Sequence, residues 1–174
     1  IDKLKPSVIN DQYIRACINN YVSFETGDRV QARIAIVDID GTVADHCNQR
    51  SPFDWSKVSN DKPRSYVIET LNALYNFGSI DFIQFLSGRD SICYEDTMLW
   101  LQNVAGFDMT RHRLLMRQRR DNRKDVIIKS EIYENCIKDK YEVKFVFDDR
   151  NQVVDYWWDQ NLPVFHVGDY RNVF

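Results

Sequence analysis

The sequence predicts an α/β fold built on a mostly parallel sheet, and three observations lead there. The segments "RIAIVDID" (33–40) and "VKFVFDD" (143–149) are nearly continuous apolar runs, as expected of strands covered on both faces. Three shorter apolar runs, "IDFIQFLS" (80–87), "RLLMR" (113–117) and "PVFHV" (163–167), add further strands. Segments of helical period lie between them, and strand–helix alternation of this kind marks βαβ units.

The elements follow in order. Residues 1–32 read as an N-terminal extension or linker, with a weakly amphipathic "DQYIRACINNYVSF" (11–24) before a polar "ETGDR". Residues 33–174 read as one domain. After the first strand, "ADHCNQRSPFDWSKVSNDKP" (44–63) is about 20 residues of irregular polar chain, a length typical of lids and binding loops. A helix is expected over 63–77, with Pro63 in its first turn, Val67, Leu71 and Leu74 on one face, and Gly78 beyond its end. Further helices are expected over 95–106, 123–138 and 150–161.

Composition narrows the class. At 174 residues the chain is long enough for one real core, and 44% hydrophobic with 13% aromatic residues argues against global disorder. Cys17, Cys47, Cys93 and Cys136 are scattered without a CxxC pair, which reads as reduced thiols rather than a disulfide framework or zinc site. No apolar run reaches membrane-spanning length and no signal peptide is visible. The chain opens at Ile1, so it reads as a piece of something longer. His46, His112 and His166 have no partner pattern and receive no role.

Chemistry gathers at the ends of the strands. In open α/β sheets, ligands bind beyond the carboxyl ends of the strands. Asp38 and Asp40 end the first strand, Ser87-Gly88-Arg89 the second, Arg117 the third and Asp148-Asp149-Arg150 the fourth. Four carboxylates at one edge repel unless a cation joins them, and hard oxygen ligands suit Mg²⁺. Asp38, Asp40, Asp148 and Asp149 are therefore the expected metal set. Between Arg111 and Lys129 stand eight Arg or Lys residues against two Asp, in a chain of net charge −3. That placement beside the acidic edge suits contact with phosphates flanking a reactive one.

"DIDGTV" resembles the DxDGT/V signature of haloacid dehalogenase-superfamily phosphotransferases, and "LSGR", "NRKD" and "FDDR" resemble the remaining motifs. "RSPFD", "MRQRRDNRKDVIIKSEIY" (116–133) and "FDDRNQVVDYWWDQNLPVFHVGDY" (147–170) are similar to the 3′-phosphatase domain of bacteriophage-type polynucleotide kinase–phosphatase. The resemblance implies a Rossmann-like haloacid dehalogenase fold, a mostly parallel sheet with helices on both faces and a small loop-like cap. It implies removal of a terminal 3′-phosphate from DNA or RNA, with Mg²⁺, in a phage-infected or bacterial cytoplasm. A kinase domain precedes the phosphatase in that family. No GxxxxGK[ST] occurs here, so this chain is expected to lack the kinase activity; the resemblance implies a kinase or ligase domain or partner outside it. Asp38 is then the nucleophile and Asp40 the general acid and base, kept partly protonated by its acidic surroundings. Ser87 binds a phosphoryl oxygen, and Lys124, preferred over Lys129, neutralises the reacting group. Thr42, Arg50, Gly88, Arg89, Arg117, Arg119, Arg120, Asp121, Arg123 and Arg150 are expected around the substrate. Phe53, Trp55 and Tyr94 are candidates for stacking on a terminal base. Two rival readings remain: a small-molecule nucleotide phosphatase, and a catalytically idle module that holds nucleic-acid ends.

Overall fold

The computed structural model describes residues 31–51 and 53–168. The expected helix over 11–24, Cys17 and nearly all of the expected extension lie outside these residues. Seven strands are described, β1 (Arg33–Val37), β2 (Ala44–Asp45), β3 (Lys62–Pro63), β4 (Phe82–Asp90), β5 (Arg113–Arg117), β6 (Glu142–Asp148) and β7 (Val164–His166). The helices are α1 (Ser65–Asn76), α2 (Tyr94–Asn103), α3 (Asp125–Ile132) and α4 (Asn151–Asp159).

Five strands form one all-parallel sheet in the order β5-β4-β1-β6-β7. The alternation of side chains explains the apolar runs. Ala35, Val37, Ile83, Phe85, Leu114 and Met116 share a core cluster with Val67 and Leu71 of α1 and Trp100 and Leu101 of α2. The alternate residues Ile34, Ile36, Leu86, Leu115 and Val146 are also buried, as are Ile128, Ile132, Val153 and Trp157 from α3 and α4. Both faces of the sheet are therefore covered. Each helix buries residues one turn apart, such as Val67 and Leu71 or Val153 and Trp157, as a helix docked on a sheet must. No described helix is long and apolar enough to cross a membrane.

The order places β1 between β4, formed next in the sheet, and β6, reached after the chain doubles back. That is a topological switch point, where the crossovers diverge and leave a crevice at the carboxyl ends.

Several boundaries differ from expectation for identifiable reasons. Pro63 does not start α1. It pairs with Ala44 in an antiparallel ribbon, Asp45 opposite Lys62, where a missing N–H does no harm on an edge. The ribbon and a 3₁₀ turn, Trp55–Asn60, make a short flap from the segment expected to be irregular. Strand β4 runs past Ser87 to Asp90, because the register shift between those residues lifts Gly88 and Arg89 out of the ladder. The long helix expected over 123–138 is α3 followed by a π turn over Tyr133–Ile137.

Candidate active site

Three strand ends and two helix starts build the site. Asp38 follows β1 and is 4% exposed. Its Oδ1 accepts a bond from Lys129 Nζ at 2.7 Å, and its Oδ2 accepts one from Thr42 Oγ1 at 3.2 Å. Asp148 ends β6. One of its oxygens accepts from Lys129 Nζ at 2.8 Å and from the Trp157 indole N–H at 3.3 Å. Asp149 follows, and its Oδ1 is buried with no hydrogen-bond partner among the described residues.

The backbone makes room for these carboxylates. Gly41 turns the chain at φ +84°, and a Cβ there would lie 1.9 Å from Asp149 Oδ2, so no larger residue fits. Gly88 is constrained the same way by Asp125, whose Oδ1 would lie 1.8 Å from an added Cβ.

Oxygens of Asp38, Asp148 and Asp149 lie within 4.8 Å of one another. An all-carboxylate donor set with one buried oxygen left unpartnered fits a hard divalent cation. Asp40 is expected to contribute its backbone carbonyl, and its side chain lies outside this cluster. Arg89 Nε and Nη2 hold its two oxygens at 2.8 Å and Arg50 Nη2 reaches it at 2.6 Å.

Electrostatics sort the carboxylates. Burial, opposed by Lys129 and reinforced by Asp148, Asp149 and Asp125, pushes Asp38 well above the usual carboxylate range. Burial and the neighbouring Asp148 push Asp149 up to about 6. Asp40 goes the other way: burial would raise it, but Arg89 and then Arg50 outweigh burial and hold it below its ordinary value. This corrects the expectation that acidic crowding keeps Asp40 partly protonated; its neighbours are cations.

The lysine expectation is corrected as well. Lys124 is an exposed residue capping α3 with its backbone. Lys129, one turn inside the helix, is fully buried, and its ammonium touches Asp38, Asp148 and, at 3.4 Å, Asp125. Burial works against its charge, yet Asp125, Asp148 and Asp38 raise it well above the ordinary lysine value. Lys124 stands at the N-cap, ahead of the first helical turn, and is exposed, whereas Lys129 lies on the buried face of the helix.

The expected substrate residues divide into groups. Ser87 is buried and its Oγ accepts from the Arg89 N–H at 3.2 Å. Arg50 and Arg89 are buried in ion pairs with Asp40 and Asp61 rather than extended toward solvent. Arg117 is spent on the loop itself, donating to the carbonyls of Gly88 and Asp121 at 2.6 and 2.9 Å. Arg123 is paired with Asp121 and Glu131 at 2.7 and 2.6 Å, so Asp121 orients a surface arginine. Arg119 and Arg120 are exposed. Arg150 caps α4 half-exposed, 3.7 Å from Asp125. Phe53 is exposed on the flap, 6.1 Å from the Trp55 ring.

Asp61 and Asp125 are absent from the expected site, and Lys129 is ranked there behind Lys124. Asp125 and Lys129 stand four apart on one helix, and Lys129 sits between Ile128 and Ile132 in the buried stripe. A lysine inside an apolar stripe was the available signal. Asp61 carried none.

Similarity to known proteins agrees with this geometry. The family profile described as the polynucleotide kinase PNKP phosphatase domain matches residues 32–170. A protein of Autographa californica nuclear polyhedrosis virus, named "Putative bifunctional polynucleotide kinase/RNA ligase", is 38% identical over 168 residues, covering 94% of this chain and 24% of its own length. A chain of the solved Pnkp1/Rnl/Hen1 RNA repair complex is 34% identical at a TM-score of 0.71, over 86% of this chain and 47% of that one. A class C acid phosphatase from Bacillus anthracis, with tungstate bound, shares the fold at 15% identity and a TM-score of 0.50. The chain thus spans about a quarter of the viral relative and half of the repair-complex chain.

Proposed function

The chain belongs to the phosphatase-domain family of polynucleotide kinase, within the haloacid dehalogenase superfamily, and on that premise we propose that it removes terminal 3′-phosphates from DNA or RNA. The observation that carries this reading is the buried Asp38 at the sheet's switch point, held by Lys129 at 2.7 Å beside Asp148 and Asp149.

In the proposed mechanism an Asp38 oxygen attacks phosphorus and the bond to the 3′ oxygen breaks. Asp40 gives its proton to that leaving oxygen. It then takes a proton from the water that attacks the aspartyl phosphate, and inorganic phosphate is released. The arginines hold Asp40 as a carboxylate in the free site, the form needed as base. An arriving phosphate dianion adds negative charge beside Asp40, the exposed member of these pairs, and so favours the protonated form needed as acid. Ser87 donates its hydroxyl proton to a phosphoryl oxygen. Lys129 neutralises charge on Asp38 and on the reacting group. Asp38, Asp148, Asp149 and the Asp40 carbonyl would hold Mg²⁺, which supplies charge cancellation between the anionic nucleophile and the anionic phosphate.

Metal binding has a readout independent of turnover. Folding raises Asp149 from its ordinary 3.8 to about 6, so its contribution to stability is fully present below 3.8 and is lost as pH rises through 6. In chelator, the melting temperatures of the parent and Asp149→Asn should agree at pH 4 and separate by pH 8, with the variant more stable. Mg²⁺ should raise the parent's Tm far more at pH 8 than at pH 5. An equal Mg²⁺ shift at both pH values would remove these carboxylates as ligands.

The nucleic-acid reading now rests on Arg119 and Arg120, because Arg117 and Arg123 are occupied within the fold. Arg119→Ala and Arg120→Ala should each flatten the log–log salt dependence of binding to a 3′-phosphorylated oligonucleotide by nearly one unit. A nucleoside 3′-monophosphate should be turned over normally by both variants. The same pair of substrates tests the function itself: phosphate release that favours the mononucleotide would support a small-molecule phosphatase instead. The kinase and ligase named in the viral relative would, for this protein, act from outside the chain.

A further inference from the structure

We propose that Asp90 is a positioning residue for polynucleotide substrates, holding the 118–124 loop so that Arg119 and Arg120 meet phosphates flanking the reactive one. The proposal rests on the contact role given above to those arginines. Asp90 ends β4, one residue past Arg89, and its two oxygens hold two different segments. Oδ1 accepts from the Ile92 N–H at 2.8 Å, in the 3₁₀ turn Ser91–Cys93. Oδ2 accepts from the Arg120 N–H at 2.9 Å, across a separation of 30 residues. The loop it reaches runs from the end of β5 to the start of α3, the helix that carries Asp125 and Lys129.

The bond falls where the loop needs it. Arg120 stands at φ +64°, a left-handed conformation that Gly or Asn adopts readily and a long side chain resists. The Asp121 N–H closes back on the Gln118 carbonyl at 3.2 Å, so Arg120 is the third residue of a tight turn. Backbone in that region persists only where its surroundings hold it, and Asp90 supplies the hold. The flanks of the turn are fixed as well. Arg117 donates to the carbonyls of Gly88, Asp121 and Arg123, and Asp121 Oδ1 accepts the Arg123 N–H at 3.1 Å. The loop is thus pinned to the strand end, Gly88 to Asp90, that borders the site. Arg119 and Arg120 are left as exposed side chains on a fixed backbone. Order already present in the free protein is not lost again on binding, which favours substrates long enough to reach these arginines. Charge alone predicts the opposite. Asp90 has the sign of a polynucleotide, so by Coulomb's law its neutralisation should tighten binding.

Asp90→Asn separates the two effects, because it keeps an oxygen for the Ile92 N–H but turns an amide N–H toward that of Arg120. For a 3′-phosphorylated oligonucleotide, Kd and KM should rise at least about threefold and the log–log salt dependence of binding should flatten. For a nucleoside 3′-monophosphate, kcat and KM should both stay within about twofold. Added to Arg119→Ala with Arg120→Ala, Asp90→Asn should weaken oligonucleotide binding by less than about twofold more, since it acts through those residues. The Arg120 amide should be protected from hydrogen exchange in the parent and should lose that protection in Asp90→Asn. Unchanged or tighter oligonucleotide binding, equal losses on both substrates, an additive loss in the triple variant, or an unprotected Arg120 amide in the parent would each overturn the proposal. The arginine pair reports separately on the underlying reading: if Arg119→Ala with Arg120→Ala binds the oligonucleotide normally, the contact role itself fails, whatever Asp90→Asn does. Should Asp90→Asn not fold, Asp90→Ser still offers one oxygen to the Ile92 N–H. The same threefold weakening is expected of it, and unchanged binding there would also overturn the proposal.

Discussion

Asp38→Asn should abolish phosphate release from a 3′-phosphorylated oligonucleotide while leaving the fold as stable as the parent or more so. The amide cannot form the acyl phosphate, so turnover should fall by at least about 10⁴-fold, in line with losses at nucleophiles elsewhere. Stability should move the other way. Asp38 is buried with Asp148, Asp149 and Asp125 around it, and burial together with these charges lifts it well above the usual carboxylate range. A group raised in this way favours its neutral form in the folded state, and the advantage of a neutral side chain grows as pH rises. Asparagine keeps the shape, and Oδ1 can still accept the Lys129 proton now made at 2.7 Å. Lys129 retains Asp148 and Asp125. Melting curves in chelator at pH 8 should therefore place the variant at or above the parent. Near-normal phosphate release would remove Asp38 from the nucleophile role, and a large drop in Tm with lost activity would make the residue structural.

The sheet was legible because its inner strands are buried on both faces, which forces long apolar runs such as 33–37 and 143–147. The switch-point carboxylates were legible for a related reason: charge directly after such a run needs a purpose. Partnerships were not. Arg50 and Arg89 resemble phosphate ligands in the sequence, and only the tertiary fold brings Asp61 close enough to complete their ring with Asp40. Asp40 shows the same limit. Its neighbours along the chain are acidic, its neighbours in space are arginines, and the direction of its pKa follows space. Pro63 was misassigned because proline suits both a helix first turn and an edge strand, and pairing with Ala44 decides between them. Net charge along the basic run does not reveal that Arg117 and Arg123 make ion pairs and hydrogen bonds within the fold.

Lys129→Met against Lys124→Ala tests the site where sequence and structure disagree most. Methionine fills a similar volume but leaves Asp38, Asp148 and Asp125 without the ammonium that lies within 3.4 Å of all three. A cation preorganised at the reacting group is worth on the order of 10²–10³ in rate, so single-turnover cleavage should slow by about that factor on oligonucleotide and mononucleotide alike. Breaking a buried ion pair from one side costs about 3–5 kcal/mol. Protonation can relieve the orphaned carboxylates, so the loss in Tm should be small at pH 5 and should grow as pH rises toward 8, the sign expected when folding raises carboxylate pKa values. Mg²⁺ should recover part of that stability at pH 8 by replacing the missing positive charge. Lys124→Ala changes an exposed residue whose helix-capping contacts come from its backbone, so stability should stay within about 0.5 kcal/mol and the single-turnover rate within about twofold. A slow Lys124→Ala beside an active Lys129→Met would reverse the assignment and mean that the helix start, rather than its buried face, supplies the charge to the reacting phosphate.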